Sequence, residues 1–100
     1  MIKHIVMWKL QDEAHGATRA QNARAIKQQL EGLPAVIPQI RELEVGLNRQ
    51  ASDRSMDVIL ITGFDSLADL ASYRDNPKHR DVAAFIRAVV SETRVVDYEV

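Results

Sequence analysis

Cysteine is absent from these 100 residues. That removes a disulfide scaffold, a thiolate zinc site and a cysteine nucleophile. An excess of charge of one sign is also lacking, since 13 basic and 14 acidic residues leave a formal net charge of −1. The strong electrostatic case for a nucleic-acid partner goes with it. No uninterrupted apolar run approaches the ~20 residues of a bilayer-spanning helix, so no membrane partner is expected. The opening Met1-Ile2-Lys3-His4 does not read as a signal peptide, and a cytoplasmic location is the simplest expectation. Also missing are a Gly-rich phosphate loop, a GxSxG elbow and a dinucleotide fingerprint. The three histidines share no ligand-like spacing, so neither a metal nor a cofactor is expected. Any reaction would have to be acid–base chemistry performed by side chains.

What is present suits one globular core. Hydrophobic residues are 46% and charged residues 27% of the chain, a composition wrong for disorder. A chain of this size can bury about 65% of its unfolded surface, enough for one core and not for two. A single domain spanning residues 1–100 is expected.

The periodicity changes several times along the chain. Ile2, His4, Val6, Trp8 and Leu10 alternate with Lys3, Ile5, Met7 and Lys9, which predicts a strand. From about Asp12 to Glu31 the chain is rich in Ala, Gln, Arg and Lys, and Ala23, Ile26, Leu30 and Leu33 keep helical spacing. Gly32 and Pro34 should stop that helix. A second strand is predicted near Ile40 to Leu47, with Leu43, Val45 and Leu47 on one face and Glu42 and Glu44 on the other. Asn48 to Ser55 reads as a loop, and Met56 to Phe64 as a central strand covered on both sides. Ser66 and Asp69 resemble a capping box opening a short helix through Leu67, Leu70 and Ala71. Asn76 and Pro77 read as the cap and first residue of another helix, with Val82, Phe85, Ile86 and Val89 as its apolar stripe. Val95 to Val100 closes the chain as a strand.

This order fits an α+β, ferredoxin-like βαββαβ arrangement, a four-stranded antiparallel sheet with its helices on one face. The uncovered face would be apolar through Ile5, Met7 and one side of the third strand. Pairing two such faces about a two-fold axis would bury them, which predicts a homodimer through the sheet face.

Several residues could carry chemistry. With Asn76 as cap, His79 is the third residue of its helix, near unpaired amides and the positive end of the dipole. Arg74, Lys78 and Arg80 surround it in sequence, a setting that favours the neutral, proton-accepting imidazole. The competing reading is a solvated basic turn. Tyr73 ends the preceding helix beside its apolar stripe; it is either a half-buried hydrogen-bond donor to a carbonyl or a packing residue. His4 shares a strand face with Val6 and Trp8, and is either a satisfied core histidine or a group facing a site under the helices. Asp97, between Val96 and Tyr98, could orient a histidine by accepting its ring N–H, or be a strand-end charge. His15 stands in the polar start of the first helix and reads as solvated.

Three segments together resemble a known family: the opening Met1-Ile2-Lys3-His4-Ile5-Val6-Met7-Trp8-Lys9-Leu10, the stretch Tyr73…Asn76-Pro77-Lys78-His79, and the ending Val95-Val96-Asp97-Tyr98. They are similar to the stress-responsive A/B barrel domain family, over nearly the whole chain. The resemblance implies ferredoxin-like domains pairing into a dimeric α/β barrel, with a pocket between sheet and helices. Most members have no assigned activity; a plant member closes a linear polyketide by an intramolecular aldol condensation without a cofactor. Its catalytic histidine and tyrosine have the separation of His79 and Tyr73, and a first-strand pocket histidine matches His4. The resemblance thus implies His79 as base and Tyr73 holding a substrate carbonyl, with His4 in the pocket. Trp8 and Asp97 are further candidates around the substrate. The family turn commonly reads His-Pro-x-His, whereas Asn76 here takes the place of the first histidine. Trp8, Phe64 or Phe85 could instead fill the space and leave only a dimerising fold.

The expectation is a dimeric protein that binds a small hydrophobic carbonyl compound, as a cofactor-free enzyme of polyketide cyclase or isomerase type. The alternatives are a non-catalytic stress-associated dimer and, less favoured, a cofactor-free monooxygenase.

Overall fold

In the computed structural model, which describes residues 1–100, β1 (Ile2–Leu10) is the spine of the sheet. It is flanked on one side by β5 (Val58–Phe64) and on the other by β6 (Val90–Glu99), and β4 (Glu42–Leu47) lies outside β5. The order β4-β5-β1-β6 is antiparallel throughout, the ferredoxin-like α+β arrangement. Period-two alternation decides the faces: Ile2, His4, Val6, Trp8 and Leu10 are all buried beneath the helices. Register carries that face across the sheet, pairing Val6 with both Leu60 and Val95.

The helices are α1 (Arg19–Glu31), α2 (Leu67–Asp75) and α3 (Pro77–Val89). The α1 stripe of Ala23, Ile26 and Leu30 is buried, and a single 3-10 turn at Leu33–Ala35 follows Gly32, so the helix stops where expected. Its start is shorter than expected. Residues Asp12 to Thr18 are not helical; they contain a minimal hairpin of β2 (Glu13–Ala14) and β3 (Ala17–Thr18). His15 and Gly16 between them have φ of 53° and 70°. Two successive positive φ values break a helix and suit a two-residue hairpin turn. Thr18 and Gln21 then form a reciprocal capping box that sets the true beginning of α1. His15 is therefore a turn residue, exposed, with its ring edge-on to Phe85.

Three further expectations are corrected. In α2 the buried residues are Leu70 and Tyr73, whereas Leu67 is 66% exposed, so Tyr73 is in the apolar stripe and not beside it. β6 begins at Val90, directly after α3, because Val90 and the polar Glu92 to Arg94 pair with β1 across a bulge at Ser91. The third strand is covered on one side only within the chain: Ile59 and Ile61, on the open face, are half-buried. The open face also holds Ile5, Met7, Val96 and Tyr98, the last two 58% and 44% exposed.

Candidate functional site

Under the helices the sheet is not sealed everywhere. A cavity of about 490 Å³ lies between α2, α3 and the β1–β6 half of the sheet. His4, Trp8, Tyr73 and His79, four of the five residues singled out from the sequence, line it. Asp97 stands directly behind His4. Phe64 is fully buried against Tyr73, with ring centroids 5.0 Å apart, and neither Phe64 nor Phe85 fills the space.

The placement of each group follows from local structure. Asn76 caps α3, its side-chain oxygen accepting from the Lys78 amide, and Pro77 takes the first helical position. His79 is thereby turned back over the end of α2, where its ring lies 4.4 Å from that of Tyr73. Its Nδ1 is 3.2 Å from the Arg74 carbonyl oxygen. A carbonyl only accepts, so Nδ1 carries the hydrogen and Nε2 keeps its lone pair. Burial holds the His79 pKa below its ordinary value, and the charges of His4, Arg74 and Arg87 add to this against the Arg74 carbonyl bond. This lowering favours the neutral imidazole at His79. Its main cause is desolvation and not the basic residues next to it in sequence. Lys78 and Arg80 are absent from the cavity wall, and Arg80 lies 3.8 Å from Asp75.

Tyr73 is fully buried, more than the half-buried residue expected, and its hydroxyl has no hydrogen-bond partner. Burial pushes the phenol pKa well up, with a small opposing effect from Arg74, so the hydroxyl stays protonated. A buried hydroxyl without a partner carries a desolvation cost of about 1–3 kcal/mol.

His4 sits opposite Asp97 in the β1–β6 register, which fixes a side-chain pair across the strands. Its Nδ1–H donates to Asp97 Oδ1 at 2.5 Å, and Arg74 donates to Asp97 Oδ2 at 2.9 Å. Desolvation pushes Asp97 up, but hydrogen bonding and charge from His4, followed by those of Arg74, outweigh it and hold the carboxyl below its usual range. Both oxygens are thus engaged, and Asp97 orients His4 without facing the cavity. Arg74 joins the two histidines: its carbonyl holds His79 and its guanidinium holds the carboxylate behind His4.

Sequence reasoning missed Arg87, Thr93 and Val95 as cavity residues. Arg87 lies eight residues beyond His79 on α3, a helical spacing that returns it to the same side and was available from the sequence. Thr93 lies before the strand expected from Val95 onward and carries no strand signal of its own, whereas Val95 falls within that strand.

Fold and cavity define a ferredoxin-like α+β protein with a hollow between its helices and one half of its sheet. The chain belongs to the stress responsive A/B barrel domain family, whose profile matches residues 2–100. It is similar to a dimeric ferredoxin-like protein of unknown function from Bacteroides fragilis, at 31% identity and TM-score 0.84 over 99% of this chain and 95% of that one. A dimeric ferredoxin-like protein of unknown function from Thermobifida fusca has 22% identity and TM-score 0.85, over 99% of this chain and 90% of that one. A hydroxynitrile lyase from Passiflora edulis shares the fold at 18% identity and TM-score 0.80, over 97% of this chain and 90% of that one. Among curated proteins none matches significantly. No helix is long and apolar enough to cross a membrane.

Proposed function

We propose that this protein is a homodimer that binds a small apolar carbonyl compound in the cavity and moves a proton on it without a cofactor. The observation that carries this reading is the pairing at the cavity wall of a buried, partnerless phenol with a neutral imidazole whose Nε2 is free. In this reading Nε2 of His79 removes a proton from the carbon next to the carbonyl. The electron pair moves to the carbonyl oxygen, and the resulting enolate accepts a hydrogen bond from the Tyr73 hydroxyl. His4, fixed by Asp97, offers a second polar contact, and Trp8 supplies apolar wall. An intramolecular aldol closure or an isomerisation would each begin with this proton transfer. A hydroxynitrile lyase on the same fold supports the view that the scaffold can house catalysis.

The dimer forms through the open sheet face. Ile5, Met7, Val96 and Tyr98 leave an apolar surface there, and relatives of this fold are described as dimeric. An unassociated chain would keep that surface in water.

Uptake of solvent deuterium by decan-2-one, followed by NMR, tests the proton step. His79→Ala should slow enzyme-dependent exchange by about 10²-fold or more, and Tyr73→Phe by about 10-fold or more through loss of the enolate donor. Exchange at the parental rate in both variants rejects the reading; ketone binding with no exchange in the parent would leave a carrier and reject the catalytic part.

A further inference from the structure

The cavity is a slot with two chemically different ends. On α3 it is lined by His79, Val82, Ala83, Ile86 and Arg87, spaced as one helical face. Facing them on β1 are His4, Val6 and Trp8. The two elements run in the same sense. At one end Tyr73 connects His79 to His4, with ring centroids 4.4 and 6.2 Å away. At the other, the Gln11 amide just past β1 donates to the carbonyl of Val89, the last residue of α3. The rise of a helix puts Arg87 about 12 Å along the axis from His79, and the rise of a strand puts Trp8 about 13 Å from His4. The slot therefore runs about 12 Å between these backbone positions, with the phenol and imidazoles at one end and Trp8 and Arg87 at the other.

Charge along the slot is lopsided. Arg74 and Arg87 are the cations on its wall, and no carboxylate lines it. Asp97 answers Arg74 from behind. Arg87 joins none of the ion pairs of the chain. The dipole of α3 favours a cation in its last turn, and Arg87, exposed at that turn, also borders the cavity beside Ile86 and Val90. A guanidinium there is suited to a carboxylate, which it can hold through two parallel hydrogen bonds.

Resting on the carbonyl reading above, we infer that the slot takes elongated carbonyl acids, with the carbonyl between Tyr73 and His79 and a distal carboxylate on Arg87. The end-to-end length of about 12 Å corresponds to a chain of about eight to ten carbons between and including the two groups. The apolar chain lies against Val6, Val82 and Ile86, and Trp8 packs near its acidic end.

Trp8 is the single tryptophan of the chain and lines the slot, so its fluorescence reads occupancy. The probes are 9-oxodecanoate, its methyl ester and decan-2-one, titrated at low and moderate salt. The acid should bind about 10-fold tighter than the ester at low salt, with the gap narrowing as salt rises. Arg87→Gln should abolish the gap, and Arg87→Lys should restore part of it. Arg80→Gln, a change to a cation outside the slot, should leave it intact. Equal affinity for acid and ester in the parent overturns this inference and leaves the carbonyl reading standing. A preference for the acid that survives Arg87→Gln overturns the role given to Arg87. Silence from all three probes overturns both readings.

Discussion

The helix-covered side of the sheet has two halves built from similar residues to opposite effect. Over β4 and β5, Ile26, Leu33 and Ile37 pack with Val45 and Val58, all of them 4% exposed or less, while Leu30 and Leu60 mark the border with the cavity. Over β6, Val95 faces the same way and is 50% exposed, and Thr93 is exposed as well. The dense half is covered by α1 and the turn after it. On the hollow half α3 stands off the sheet, with the Tyr73 hydroxyl left unpaired at the boundary. One half stabilises the fold by excluding water; the other gives up packing and a hydrogen bond to keep space open. The fold can carry the second only because the first is complete.

Substitutions should separate the halves, the largest effect lying on the dense side. Ile26→Ala should lower unfolding stability by about 3 kcal/mol, in the range of buried large-to-small changes, as read by urea denaturation. Val95→Ala should change it by about 0.5 kcal/mol or less, because that side chain borders the cavity. If the two cost the same, the contrast between the halves is wrong. Strand neighbours Val95 and Val96 sharpen the comparison further, since they point to opposite faces. Val96→Asp places a charge in the proposed dimer interface and should yield monomers by light scattering at micromolar concentration, while Val95→Asp should leave dimers. Monomers in the parent protein would contradict the interface outright.

Smaller changes are expected at the boundary. Tyr73→Phe removes an unpaired buried hydroxyl, so stability should hold or rise by about 1 kcal/mol, even as proton exchange on the ketone falls. A residue kept for packing alone would not split stability from function in this way. The smallest effect concerns pH. The folded His79 pKa lies below its usual 6.5, so protons bind the unfolded chain more readily. The stabilisation is therefore whole above about pH 6.5 and is lost as the pH falls toward the folded value. His79→Gln should flatten that part of the stability-against-pH curve, and an unchanged curve would argue against the burial of this ring.

Much of this was legible in advance because alternation and caps are local. The β1 face, the Gly32 stop, the Asn76–Pro77 start of α3 and the ferredoxin-like order all follow from residues close in sequence. His4, Trp8 and His79 reach one cavity because those local signals place them correctly, and Tyr73 reaches it from within the α2 stripe and not from beside it. The failures have other causes. The helix-forming Ala and Gln content of residues 12–31 hid the turn at His15 and Gly16, where positive φ outweighs propensity. The polar stretch Glu92 to Arg94 gave no strand signal, because its strand character comes from pairing with β1 and not from its own side chains. The link through Arg74 between two histidines far apart in sequence depends on tertiary contact alone.

A crystal structure of the protein with bound decan-2-one is the most direct trial of the idea that the open half exists for a ligand. The ketone oxygen should lie about 2.7 Å from the Tyr73 hydroxyl, giving that group its missing partner, with a neighbouring carbon facing His79 Nε2. A ketone bound elsewhere, or one in the slot that leaves the hydroxyl unpaired, would contradict it.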